Sequence, residues 1–283
     1  MDKQTEMDIT ISVVSYKTKD LLKRCLRSIF KHTKAINFEV IAVDNASQDG
    51  TADMVESEFR KVKFIKNMVN KYYTGANNQS LKIAKGKYFL ILNADTYFVD
   101  NSIKKIFDFM EKNKNVGAVE GLEIYEEGTL VPNGSKFSTP LLDFYELSFI
   151  GKRFKNRKMI DEYRIAHKRR DETFDIEVGC DAFLCIRTKM MKEIGGYDTK
   201  LLLYYTENDL CLRIKKLGHK IVHFGNAKVI HTVSASVKKL GFKKIDIYYQ
   251  DMLWYYRKHG YIVTGTLLYI LLKLEEVMLR IIK

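Results

Sequence analysis

Along the first hundred residues, short unbroken apolar runs alternate with helically spaced apolar positions. Ile9–Ser15, Phe38–Val43, Val62–Ile65 and Tyr88–Leu92 are rich in β-branched and aromatic residues, the pattern of strands buried on both faces. Leu21, Leu22, Cys25, Leu26, Ile29 and Phe30 recur at helical spacing over 20–30. Further helices are expected from about Thr51 and over Gly75–Ala84. Buried strands alternating with amphipathic helices predict an α/β fold, a mostly parallel sheet flanked by helices. After Val116 the alternation fades, and Tyr125–Phe174 reads as polar and irregular. Apolar structure resumes at Ile176, with a strand over Ala182–Ile186, a helix over Glu207–Leu217 and short strands over Lys220–Phe224 and Ala227–Ile230. Two helical patterns close the chain, Phe242–Lys258 and Tyr261–Lys283.

Composition narrows the class. The chain has 283 residues, 46% hydrophobic and 29% charged, enough to bury a sizeable core. It has two prolines and no Gly/Ser-rich linker, which argues against domains strung on flexible tethers. The net charge of +13 calls for an anionic partner, and Lys152–Arg170 alone supplies +7 of it. No helix-turn-helix, RRM or zinc-finger pattern accompanies that charge, so nucleic acid is not the expected partner. Cys25, Cys180, Cys185 and Cys211 show no C-x-x-C spacing and read as reduced core thiols. The polar N-terminus carries no signal-peptide pattern, and the longest apolar stretch, Tyr261–Leu274, is too short and interrupted to span a bilayer. These features place the protein in the cytoplasm.

In parallel sheets ligands bind beyond the carboxyl ends of the strands. Ser15-Tyr16, Asp44-Asn45-Ala-Ser47 and Asn93-Ala-Asp95 sit there. A carboxylate at the position of Asp44 suits a pyrimidine N3–H or a ribose hydroxyl, while its neighbours equally suit a turn and helix cap. Asn93 and Asp95 have the i, i+2 oxygen spacing that holds a hard divalent cation, and also fit an Asx-turn. Glu207 and Asp209 open a helix, where a general base and a capping box anchored on Thr206 are both admissible. His231 ends a strand, as a structural residue or a ligand for metal or phosphate.

Taken in order, these pieces resemble family 2 glycosyltransferases of the GT-A fold. The resemblance is carried by ISVVSYKTKDLLKRCLRSI, FEVIAVDNASQDGT, TGANNQSLKIAKGKYFLILNADT, VGCDAFLCIRTKMMKEIGGYD and LLLYYTENDLCLRIKKLGHKIVH, most of residues 9–231. It implies an inverting transfer of a sugar from a nucleotide diphosphate to an acceptor hydroxyl, with Mn²⁺ or Mg²⁺ as cofactor. The subgroup most resembled is the bacterial rhamnosyltransferase-like one, which builds cell-surface polysaccharides and implies TDP-rhamnose or a UDP-hexose as donor. Residue by residue, Asp44 matches the base-reading position, Ser15 and Tyr16 the first donor loop, and Asn78 the nucleotide-lining stretch. Asn93 and Asp95 match the metal-binding motif in its N-x-D form, which gives the metal to Asp95 and the ribose or diphosphate to Asn93, with His231 matching a histidine that completes the metal site in some relatives. Counting back from Asp209-Leu-Cys-Leu-Arg213 puts Glu207 at the catalytic base, with Asp209 orienting the acceptor or capping the helix. Asp181 would hold a sugar hydroxyl.

The resemblance divides the chain into a GT-A domain over 1–235 and a helical extension over 236–283. The domain has a nucleotide-binding half, 1–115, and an acceptor half, 116–235, with a basic excursion over 150–172. The basic segment suits a lipid-pyrophosphate-saccharide acceptor, anionic lipid heads, or solvent alone. In the tail Leu267, Ile270, Leu271, Leu274, Val277, Met278 and Ile281 form an apolar stripe, with Lys273, Glu276, Arg280 and Lys283 opposite. That stripe packs on the domain, pairs two chains as a homodimer, or lies on the inner face of the membrane. The rival function is a catalytically weak sugar-nucleotide-binding protein of the same fold.

Overall fold

The computed structural model describes residues 6–232 and 243–282. The chain runs β1 (Ile9–Ser15), α1 (Lys19–His32), β2 (Phe38–Asp44), α2 (Thr51–Glu58), β3 (Lys63–Lys66), α3 (Tyr72–Ile83), β4 (Tyr88–Asn93), β5 (Thr96–Tyr97), α4 (Ser102–Lys112) and β6 (Val116–Ile124). It continues α5 (Pro140–Leu147), α6 (Phe149–Arg153), α7 (Arg157–Tyr163), β7 (Thr173–Ile176), β8 (Phe183–Arg187), α8 (Thr188–Glu193), α9 (Thr206–Lys216) and β9 (Lys220–His231). The helices α10 (Lys243–Lys258) and α11 (Ile262–Ile282) follow. The expected tail residues Phe242 and Lys283 lie outside the described residues, as do the side chains of Arg280 and Ile281.

Among the described residues nine strands form one sheet in the order β3-β2-β1-β4-β8-β6-β9-β5, with β7 on β9. β3, β2, β1 and β4 are parallel, as their continuous apolar runs require. Beyond β4 the sheet is mixed: β8 runs antiparallel to both β4 and β6, while β6 and β9 are parallel. Two apolar layers cover it. Ile9, Ile11 and Val13 of β1 face Leu22, Cys25, Leu26 and Ile29 of α1, whose helical spacing sets that buried stripe. On the other face Phe89, Leu184 and Ile186 meet Leu81 of α3 and Leu210, Cys211 and Ile214 of α9.

The irregular stretch expected over Tyr125–Phe174 holds three short helices, α5 to α7. Side-chain caps start them, Thr139 accepting from Leu142 N–H, Ser148 from Gly151 N–H and Asn156 from Met159 N–H. The two short strands expected over 220–230 are one strand, β9, with a register shift against Gly121/Leu122 that absorbs Gly225, Asn226 and Ala227.

One close approach fixes the α3–β4 turn. A Cβ on Gly86 would lie 2.2 Å from the Thr10 backbone nitrogen and 2.5 Å from the Ile9 carbonyl carbon. Backbone atoms of a central strand cannot give way, so Gly86→Ala is expected to destabilise the fold by about 3 kcal/mol, read as a lower thermal midpoint at unchanged secondary structure.

Candidate functional site

The parallel register sets the site at the strand ends. Ser15 pairs with Asp44 and Val14 with Asn93, so three polar clusters distant in sequence end side by side. The short β5 pairs Thr96 with His231, which draws the end of β9 against the Asn93–Asp95 turn. Opposite them α9 begins at Thr206. A single cavity of about 260 Å³ opens between these parts. Tyr16, Asn93, Asp95, Asp181, Glu207 and His231 all line it, together with Tyr72, Tyr73, Cys180 and Thr206. No Lys or Arg is among the described residues lining it.

On one wall His231 Nε2 lies 3.2 Å from Asp95 Oδ1, and Nδ1 lies 2.6 Å from Glu123 Oε2. The Thr232 N–H donates to the Asp95 carbonyl at 2.9 Å, fixing the turn against β9. Burial alone would lower the His231 pKa, but the Asp95 and Glu123 carboxylates overcome it and raise the imidazole to about 9. Glu123, buried on β6, therefore sets the orientation of His231. Sequence reasoning missed it because it reads as one of several acids in a polar stretch. Its signal was position, the carboxyl end of a strand.

On the other wall Glu207 is half-buried and Asp181 is buried. Thr206 Oγ1 lies 2.9 Å from Glu207 Oε2 and 3.3 Å from Asp181 Oδ2. Burial raises both carboxyls, and the Glu207 charge drives Asp181 further, well above the usual carboxylate range. Asp181 is thus the harder of the two to ionise. The α9 start is held from outside the cavity. Tyr205 is in the left-handed conformation at φ 56°, and its hydroxyl bonds the Asp143 carboxylate and Tyr248. Asp251 of α10 accepts the N–H groups of Leu202, Leu203 and Tyr204 at 2.9–3.1 Å.

Asp44 lies in a second groove of about 320 Å³ with Gln48, Lys66 and Asn67. Burial raises its pKa, against the Ser47 hydrogen bonds, which lower it. Asn67 Nδ2 donates to Asn45 Oδ1 at 3.0 Å, and Asn45 lines the first cavity, so this bond joins the two walls. Ala46 and Gln48 hold positive φ here, at 64° and 54°, strain of the kind that collects at ligand sites.

Three expected site residues do not line either space. Ser15 is fully buried, and its hydroxyl bonds Thr18 Oγ1. Asn78 spends its amide on the Tyr197 backbone, accepting from N–H and donating to C=O at 2.9 Å each, and so braces α3 against the loop before α9. Asp209 is buried beneath α9, with Arg213, Lys258 and His259 on its carboxylate, so that it ties α9 to the end of α10. The capping box on Thr206 is also absent, since Tyr205 is the N-cap and Thr206 belongs to the first turn. Among the described residues no three His, Cys, Asp or Glu side chains are grouped to hold a metal ion by themselves.

Residues 10–185, more than half of the chain, match the family described as glycosyl transferase family 2. The chain is 35% identical over 107 residues to a UDP-Glc:alpha-D-GlcNAc-diphosphoundecaprenol beta-1,3-glucosyltransferase of Escherichia coli, covering 38% of this chain and 42% of that one. It is 30% identical over 124 residues to a poly(ribitol-phosphate) beta-glucosyltransferase of Bacillus spizizenii, covering 41% of this chain and 20% of that one. The matched stretches thus span less than half of either relative. In three dimensions it is similar to a mannosyltransferase from Pyrobaculum calidifontis in complex with GDP-Man and Mn²⁺, with a TM-score of 0.58 at 16% identity, covering 82% of this chain and 59% of that one. That likeness shows the GT-A fold.

Proposed function

This chain belongs to glycosyl transferase family 2, and from that premise we propose that it is an inverting glycosyltransferase using a divalent cation. The observation that carries the reading is the cavity itself. Asp95 and His231 stand on one wall and Glu207 on the other, with no Lys or Arg among the described lining residues. A nucleoside diphosphate entering a space lined by Asp95 and Glu207 meets like charge, which a bound cation would offset.

Asp95 and His231 suit a hard or borderline divalent ion, Mn²⁺ or Mg²⁺, His231 giving up its proton as the ion binds. Two side chains alone leave coordination positions for diphosphate oxygens, in keeping with the lack of a self-sufficient ligand cluster among the described residues. When bound, the ion supplies Lewis-acid stabilisation of the departing diphosphate. Asp44 reads the base in its groove, Asn93 and Tyr16 contact ribose or diphosphate, and Asp181 holds a sugar hydroxyl. Glu207 accepts the proton of the acceptor hydroxyl. The acceptor oxygen then bonds the anomeric carbon from the face opposite the leaving group. The sugar–phosphate bond breaks, and the nucleoside diphosphate leaves with its electron pair. One displacement inverts the centre, and no enzyme nucleophile is needed.

The donor is a nucleotide-diphospho-hexose. The E. coli relative's name supports UDP-glucose, and the rhamnosyltransferase-like motifs support TDP-rhamnose. The same relative supports a lipid-pyrophosphate-saccharide acceptor, hence action in polysaccharide assembly at the inner face of the membrane. Nucleotide binding tests the cavity without turnover. At about a hundredfold over Kd, UDP or TDP with Mn²⁺ is expected to raise the thermal midpoint by roughly 5 °C. EDTA, or Asp95→Ala, should remove most of that shift. An equal shift with and without the ion would overturn the assignment of Asp95 and His231.

A further inference from the structure

Two segments distant in sequence carry exposed apolar side chains. α11 buries Leu268 and Leu272 in the cluster it shares with α10. On its opposite side Leu267, Ile270, Leu274 and Val277 are 47–61% exposed. The apolar stripe expected in the tail therefore faces away from the domain, not onto it. Buried Glu275 ties this helix to α6, its carboxylate accepting from Ser148 Oγ and the N–H of Phe149 and Ile150 at 2.7–3.1 Å. The tied segment carries Phe149 and Phe154, 69% and 71% exposed. Lys152, Arg153, Lys155, Arg157 and Lys158 surround them, all exposed and with no carboxylate partner among the described residues.

We propose that the outer face of α11 and residues 149–158 together form a docking surface for an anionic lipid bilayer. An apolar face this wide is costly to leave in water and marks an interaction site. Among the described residues no helix is long and apolar enough to cross a membrane, which leaves α11 to lie in the interface plane. The five unpaired cations select anionic headgroups, whose surface potential attracts them. A second copy of this chain on the same surface would bring two such clusters together and is disfavoured by that repulsion. The inference rests on the proposed function only in supplying a reason for membrane contact, the lipid-linked acceptor.

The test is co-sedimentation of the full chain with vesicles of phosphatidylcholine alone and with about one-third phosphatidylglycerol, alongside light scattering and nucleoside diphosphate release with a soluble acceptor. Binding is expected to be about tenfold tighter to the anionic vesicles and to weaken with salt. Phe149→Ser/Phe154→Ser and Lys152→Glu/Arg153→Glu should each lose about tenfold in vesicle affinity while keeping the thermal midpoint and release rate. Equal binding to both vesicle types, or none, overturns the proposal even if release proceeds. It is likewise overturned by a dimer in solution that Ile270→Asp/Leu274→Asp converts to monomer without changing vesicle binding. Anionic-vesicle binding without sugar transfer would leave the surface standing and remove the transferase reading alone.

Discussion

Glu207→Gln is expected to lower the turnover rate by about 10²–10⁴-fold while leaving donor binding close to wild type. The amide keeps the size of the side chain and its place beside Thr206 but cannot accept the acceptor's proton. The same change removes one of two carboxyls held together by Thr206, so the thermal midpoint should hold or rise. That separates lost chemistry from lost folding. In the wild type the rate should climb with pH along a limb displaced above the usual glutamate range, because burial raises Glu207 and only its ionised form is a base. Initial rates of nucleoside diphosphate release across pH read both effects. Retention of full rate in Glu207→Gln would pass the role to Asp181, the other carboxyl of the pair, and not to Asp209.

Asp209→Ala has the opposite signature, a large loss of stability with chemistry intact in whatever remains folded. The Asp209 carboxylate is fully buried, and Lys258 Nζ, His259 Nε2 and the Arg213 guanidinium reach it at 2.6–2.9 Å. It is the point where α9 is tied to the end of α10. Removing it leaves the half-buried Arg213 guanidinium and the His259 ring without this acceptor, while Lys258 keeps Asp198, at a cost of about 3 kcal/mol. Burial alone would raise the Asp209 pKa, but His259, Arg213 and Lys258 outweigh it and hold the group at about 2. A folded-state value below the unfolded one means that the stabilisation is fully present above about pH 4 and is lost as pH falls towards 2. The linkage amounts to about 2 kcal/mol. Denaturant titrations of wild type and Asp209→Ala at pH 7 and pH 3 should therefore differ by less at the lower pH.

The contrast between these two carboxylates shows how far the sequence could be read. The strands β1, β2 and β4 were legible because strands buried on both faces must be apolar throughout, and their ends located the polar clusters. Glu207 and Asp209 were not separable by sequence, since both sit in the first turn of one helix. What divides them is direction: α9 turns Glu207 into the cavity and Asp209 towards α10. Asn78 makes the same point: α3 begins at the cavity with Tyr72 and Tyr73, but the Asn78 side chain points to the Tyr197 backbone. β6 was hidden because VGAVEGLEI carries two glycines and two acids. Glu120 is tolerated in it because His223 Nδ1 lies 2.7 Å away, and Glu123 because of His231. Such compensation comes from β9, more than a hundred residues later, and no local pattern reports it. The short helices α6 and α7 escaped notice because their exposed basic residues outweigh their few buried positions, and α5 because its eight residues, PLLDFYEL, are too few to show a helical period.

The most direct test of the central claim is release of nucleoside diphosphate from a panel of TDP-rhamnose, UDP-glucose, UDP-galactose and UDP-N-acetylglucosamine. It would use a lipid-pyrophosphate-saccharide acceptor, with Mn²⁺ and with EDTA, on wild type and Glu207→Gln. Release from one donor class, dependent on the ion and on the acceptor and lost in Glu207→Gln, is the predicted result. Nucleotide-dependent stabilisation with no release from any donor would contradict it and make the cavity a binding site for sugar nucleotides rather than a site of transfer.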